Sequence, residues 1–139
     1  MMNKIVALQG KAHSGKTTTI TLLPDILLQN GYSRLPGAYK RRGKDFLDIF
    51  VKGTKKVGVT SSGDTYDLVH ARLTELVRQG CVICVCACRT ADRKPPGTIA
   101  AVNSFSGYKP DLVPKTIASN PAQELSANTK DAHIVFSKI

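Results

Sequence analysis

Gly10-Lys11-Ala12-His13-Ser14-Gly15-Lys16-Thr17 sets two glycines, a lysine and a hydroxyl at the spacing G-x-x-x-x-G-K-[ST]. Gly10 and Gly15 permit backbone conformations that a side chain would obstruct. Such a loop can turn its N–H groups inward around a phosphate. A helix beginning where the loop ends adds its dipole and its unpaired N–H donors. In that arrangement Lys16 bridges the β- and γ-phosphates of a nucleoside triphosphate, and the Thr17 hydroxyl takes one Mg2+ position. Thr18 reaches the α-phosphate. This chemistry requires a strand before the loop and a helix after it, so the flanking segments decide the matter.

Lys4 to Gln9 is a short apolar run ending at Gly10 and reads as a buried strand. Gly15 or Lys16 opens a helix through Thr19, Ile20, Leu23, Ile26, Leu27 and Leu28, which Pro24 is expected to kink or locally break. Asn30-Gly31 ends it. Residues 31–44 read as a basic loop. Phe46 to Val51 and Lys56 to Thr60 read as strands, joined so closely by Lys52-Gly53-Thr54-Lys55 that they form an antiparallel hairpin. Thr65 to Gln79 is an amphipathic helix with Asp64 as its expected N-cap. Cys81 to Ala87 reads as a central strand. A polar loop over 89–97, a short helix from Thr98 to Phe105 and a strand from Leu112 to Ala118 follow, with Pro114 favouring an edge position. Asn120-Pro121-Ala122-Gln123 has the form of an N-cap, a proline at N1 and a capping-box partner for a last helix.

Strands alternating with helices predict one α/β domain over residues 1–139, with a mostly parallel sheet of about five strands and an antiparallel edge hairpin. The loops after the parallel strands share one rim, where ligands of such folds bind. The chain has 139 residues, 42% apolar and 22% charged, an ordinary globular balance. No apolar run approaches the ~20 residues of a membrane span. The stretch Ile5 to Leu8 is too short for the apolar part of a signal peptide, so the expected location is the cytoplasm. The net charge of +10 favours phosphate-rich partners: nucleotides, or nucleic acid through the basic stretch Lys40-Arg41-Arg42-Gly43-Lys44. Cys81, Cys84, Cys86 and Cys88 alternate along one strand and read as small buried hydrophobes, with Cys81 facing away from the other three.

The residues from Gly10 to Thr17, in this context, resemble the Walker A motif of the P-loop NTPase superfamily. The likeness is specific over residues 4–20 and architectural beyond them. It implies the three-layer P-loop fold and binding of Mg-ATP by Gly10, Lys11, Ala12, His13, Ser14, Gly15, Lys16, Thr17 and Thr18. Two branches compete. In small P-loop kinases, arginines on a lid close over the phosphates, which points to Arg89, Arg93 and Lys94. In ParA/MinD-like ATPases a signature lysine sits where Lys11 stands, although Ala12 and His13 replace the paired glycines.

The same resemblance calls for an acidic residue after the second hairpin strand. Asp64 is the candidate for Mg2+ or for orienting an attacking group, with Asp67 and Asp48 behind it. Asn128-Thr129-Lys130-Asp131 is in the wrong order for guanine recognition, so ATP is favoured over GTP. Asn120 follows the last strand, where it can meet the base or cap the helix. The expected activity is hydrolysis of ATP or γ-phosphoryl transfer to a small acceptor, with Lys16, Asp64, Arg89 and Arg93 carrying it. The alternative is a nucleotide-dependent switch with a nucleic-acid or protein partner.

Overall fold

The structure is a computed structural model that describes residues 3–90 and 96–139. Among these residues seven strands and four helices follow one another as β1 (Asn3–Gln9), α1 (Lys16–Gln29), β2 (Ser33–Arg34), β3 (Lys40–Arg42), β4 (Asp45–Lys52), β5 (Lys55–Thr60), α2 (Tyr66–Arg78), β6 (Ile83–Cys88), α3 (Thr98–Val102), β7 (Tyr108–Pro114) and α4 (Pro121–Ser137).

The strands form one sheet in the order β2-β4-β5-β6-β1-β7, with β3 also paired to β4. Strands β5, β6, β1 and β7 run parallel, whereas β2, β3 and β5 all meet β4 antiparallel. The sheet is therefore mixed rather than mostly parallel, and larger than the expected five strands. The difference lies in residues 31–44, read as loop, which supply β2 and β3. Their polar residues carry no apolar alternation, yet their backbones complete the hydrogen bonds of β4.

Strand alternation sends side chains to two faces, and each face has its own core. Val6, Leu8, Val57, Val59, Val85 and Ala87 pack on one side with Ile20, Leu23 and Leu27 of α1 and Val135 of α4. Ile5, Ala7, Cys84, Cys86 and Cys88 pack on the other with Val69, Leu73 and Leu76 of α2 and Ala101 of α3. Helices thus cover both faces. Cys81 precedes β6 and joins the same core as the other three cysteines, because the strand's alternation does not extend back to it. All four are buried free thiols.

Helix α1 continues through Pro24, so of the expected kink or local break the break does not occur. Proline removes the N–H that would bond the Ile20 carbonyl, but Ile20, Leu23 and Leu27 are fully buried around it and hold the helix to the sheet. Strand β7 begins four residues before the expected position. Its register on β1 pairs Asn3 with Tyr108 and Gln9 with Pro114, and its mixed polar sequence suits an edge strand that keeps only part of one face dry. Helix α3 stops at Val102, short of Phe105. No helix among the described residues is long and apolar enough to cross a membrane.

The parallel arrangement puts the carboxyl ends of β5, β6, β1 and β7 on one rim. Because β4 is antiparallel and pairs Leu47 with Thr60, its amino end lies at that same rim. The turn joining β3 to β4, which contains Lys44, is carried there too.

Candidate functional site

The loop between β1 and α1 is tied down from both neighbouring strands. The Gly10 N–H donates to the Cys88 carbonyl at 3.1 Å, and the Lys115 N–H donates to the Gln9 carbonyl at 2.7 Å. His13 and Gly15 have positive φ, 61° and 91°. His13 is the one non-glycine residue with this conformation among those described, an arrangement sparsely populated by residues with a Cβ. A Cβ on Gly10 would lie 2.7 Å from Ser14 Oγ and 2.9 Å from Lys115 Cβ. Gly10 therefore shapes the loop without lining the space in front of it.

Gly15 stands at the N-cap of α1, which has no side-chain cap. The first-turn N–H groups of a helix lack intrahelical partners, and here no carboxylate or hydroxyl of the cap residue covers them. The Thr19 N–H closes the first turn onto the Gly15 carbonyl at 2.9 Å. The Thr19 hydroxyl bonds that carbonyl at 2.8 Å and meets Asn128 Oδ1 of α4 at 3.1 Å. The start of α1 is thereby locked to α4.

Residues Ala12 to Thr18 line a cavity of about 500 Å3 together with Lys44, Asp64 and Arg89. Lys16 is buried at 7% exposure, and its amine donates to the carbonyls of Gly10 at 2.6 Å and Lys11 at 3.1 Å. Ser14 Oγ and Arg89 Nε are buried with no hydrogen-bond partner among the described residues. Buried polar atoms are seldom left so, and these two belong to residues facing one cavity. Lys11 contributes a carbonyl to Lys16, while its side chain is exposed and outside the cavity wall.

Asp64 and Arg89 are brought together as the sequence suggests, and Lys44 joins them. Lys44 Nζ lies 2.9 Å from Asp64 Oδ2, and Arg89 NH2 lies 3.5 Å from Asp64 Oδ1. The Lys44 hydrogen bond, reinforced by Arg89, holds the Asp64 carboxyl below its usual range, against the opposing effect of burial. Asp64 does not cap α2. That position belongs to Thr65, whose side chain accepts from the Leu68 N–H at 3.2 Å. The cap thus stands one residue after the expected one, and Asp64 meets two cations at the rim instead.

Other expected residues lie elsewhere. Asn120 caps α4, accepting from the Gln123 N–H at 2.9 Å, and lines neither this cavity nor the one beside it. Asp67 is exposed in the first turn of α2. Asp48 is buried and paired with Arg34 at 2.8 Å, and burial pushes its carboxyl up. Arg93 and Lys94 lie outside the described residues. Among the described residues no three His, Cys, Asp or Glu side chains converge as a metal cluster. Thr17, which is exposed, and Asp64 both line the larger cavity.

Sequence reasoning missed a buried pair beneath the loop. Lys115 and Asp131 are 1% and 0% exposed at their side chains and meet at 3.1 Å. Asp131 also accepts from the Thr116 N–H and hydroxyl, both at 2.7 Å. Burial alone would raise its carboxyl, but the Thr116 bonds and Lys115 together lower it. A second cavity of about 290 Å3 lies there, lined by His13, Ser14, Gly15 and Thr18 on one side of the chain and by residues 115–118, Glu124 and Asn128 on the other. It shares its loop wall with the larger cavity. The available signal for the pair was a lysine just after a strand and an acidic residue deep in an amphipathic helix, and neither is distinctive.

No protein-family model matches the chain, and no curated protein or solved structure matches it.

Proposed function

We propose that the chain is a P-loop NTPase that binds Mg-ATP on residues 10–18 and either hydrolyses it or transfers its γ-phosphoryl group. The observation that carries this reading is the loop itself. Two positive-φ residues, an uncapped helix start and an interior lysine surround a 500 Å3 cavity. Backbone donors at such a helix start favour an anion.

Bound Mg-ATP supplies the activated phosphoryl group and the metal charge that offsets its oxygens. The chain's residues do the rest by position and charge. Lys16, once turned away from the loop carbonyls, would hold the terminal phosphates, and the Thr17 hydroxyl would be a ligand for the metal. Lys44 and Arg89 bring positive charge to the cavity, and Asp64 orients them; a direct metal contact from Asp64 requires exchange of those partners. The smaller cavity next to Thr18 and Asn128 has room for the nucleoside. ATP remains favoured over GTP on the order of residues 128–131.

Purified protein with Mg-ATP should release ADP at a steady rate. Lys16→Ala should lower turnover or affinity roughly 100-fold. Unchanged turnover in that variant refutes the assignment. The alternative reading, a nucleotide-dependent switch with a nucleic-acid partner, draws on the exposed cations Lys40, Arg41 and Lys44 in the β3–β4 hairpin. It predicts slow turnover until DNA or RNA is added, and fails if ATP leaves nucleic-acid affinity unaltered.

A further inference from the structure

A third cavity, of about 460 Å3, adjoins the phosphate-facing one. Its wall includes Lys44, Asp45, Ser62, Asp64, Leu68 and Arg72, and Lys44 and Asp64 line both spaces. The fold brings these residues together for identifiable reasons. Antiparallel β4 starts at the rim and delivers Lys44 and Asp45. Strand β5 ends there and delivers Ser62. Leu68 and Arg72 stand four residues apart, on one face of α2.

The acidic groups of this cavity already have partners. Asp45, 6% exposed, accepts from Ser61 Oγ at 3.0 Å and Ser62 Oγ at 3.5 Å. Asp64 is held by Lys44 and Arg89. On the basic side, Arg72 donates through NH1 to the Glu75 carboxylate, but its Nε is buried with no hydrogen-bond partner among the described residues. A guanidinium is a fork built for two-point contact with a carboxylate or phosphate. Lys44 is 71% exposed and places an N–H on Asp64, which leaves its ammonium further donors; with the guanidinium of Arg72 in the same wall, it makes this a place for an anion, next to where a γ-phosphate would lie. Hydrolysis requires only a water, and a space this large exceeds that need.

We propose that this third cavity is the subsite for a phosphoryl acceptor: a small molecule whose phosphate or carboxylate group sits on Arg72 and Lys44 and whose hydroxyl lies beside Asp64. The inference rests on the phosphoryl-transfer reading and names its substrate class. Transfer forms a bond from the acceptor's hydroxyl oxygen to the γ-phosphorus and breaks the bond from that phosphorus to the β,γ-bridging oxygen. ADP leaves with the electron pair, and the hydroxyl proton passes to water. Arg72 is a binding residue in this scheme.

The test separates the two sites. In the Lys16→Ala protein, with the phosphate loop disabled, inorganic phosphate and acetate are titrated in separate arms, followed by 31P line broadening and by calorimetry. At least one anion should bind, and the tighter of the two names the acceptor's anionic group. Adding Arg72→Gln should weaken that binding roughly tenfold, with Arg72→Lys retaining part of it. Leu68→Trp, which fills the cavity without changing charge, should also exclude the anion. In an otherwise native chain, Arg72→Gln should leave Mg-ATP affinity intact. Anion binding insensitive to both Arg72→Gln and Leu68→Trp, or no binding at all, overturns the subsite. Failure of Mg-ATP to bind the native chain instead sinks the nucleotide reading, and the acceptor role with it, while an Arg72-dependent anion site would still register.

Discussion

Lys16 lies inside its own loop, with its amine on two backbone carbonyls. Its loss should therefore loosen residues 10–15 as well as remove a charge. Gly10 is the more local probe. A methyl there meets Ser14 Oγ and Lys115 Cβ inside 3.0 Å, so Gly10→Ala must displace the loop or the strand end behind it. It should cost about 1–3 kcal/mol, read by urea denaturation, together with loss of nucleotide affinity. Thr65 and Asp64 separate capping from charge. Thr65→Ala should cost about 1 kcal/mol with activity kept. Asp64→Ala should cost less than about 1 kcal/mol, as loss of a partly exposed ion pair does, and should reduce activity by freeing Lys44 and Arg89. Beneath the loop, Asp131→Ala would strand the buried Lys115 charge, and about 3–5 kcal/mol of stability should be lost. If the urea midpoint of that variant is native-like, Lys115 finds another partner.

At the scale of elements, legibility followed burial. The apolar runs of β1 and β6 announced themselves, because strands covered on both faces are largely apolar. The hairpin turn at Gly53-Thr54 and the Asn120-Pro121 helix start were equally readable, since each is a local conformation that few residues satisfy. Edge elements were not. Strands β2 and β3 are held by backbone pairing to β4, and that pairing leaves little mark on side-chain pattern. Strand β7 was displaced in the reading because Tyr108 to Asp111 alternate poorly. The candidate site followed the same division. Residues 10–18 were legible as a contiguous motif. Lys44 and Asp45 come from the β3–β4 turn and the start of β4, which the antiparallel sense of β4 carries to the rim, and Arg72 comes from α2. An element-level consequence concerns Gly58 in β5. A Cβ there would lie 2.5 Å from Leu76 Cδ2 of α2, so Gly58→Val should push α2 off the sheet and lower the thermal midpoint by several degrees, on the order of 5 °C.

Across the whole molecule, two buried faces and a set of paired carboxylates set the response to chemistry and pH. Cys81, Cys84, Cys86 and Cys88 are fully buried, and burial pushes the Cys81 thiol up to about 12 and Cys84 and Cys86 further still. Thiol reagents should therefore react at the rate of unfolding, not of a native thiolate. Fast labelling in native buffer would show that the face under α2 and α3 opens locally. Asp64 and Asp131 have folded pKa values below their ordinary 3.8. Their contribution is fully present above that pH and disappears as pH falls through the lower folded values. Asp48 has the opposite sign, because burial raises its carboxyl: its contribution is present below 3.8 and lost as pH rises through its folded value. Asp131→Asn should accordingly flatten the acid limb of the stability curve, measured by urea midpoints from pH 5 downward.

The central claim is that backbone N–H groups between Lys11 and Thr17 gather on a triphosphate. Amide-resolved NMR of the native chain, titrated with Mg2+ and a non-hydrolysable ATP analogue, tests it most directly. The account predicts saturable shifts concentrated at residues 11–18, and their disappearance in Lys16→Ala. Shifts scattered over the basic surface, or none at millimolar analogue, would contradict it.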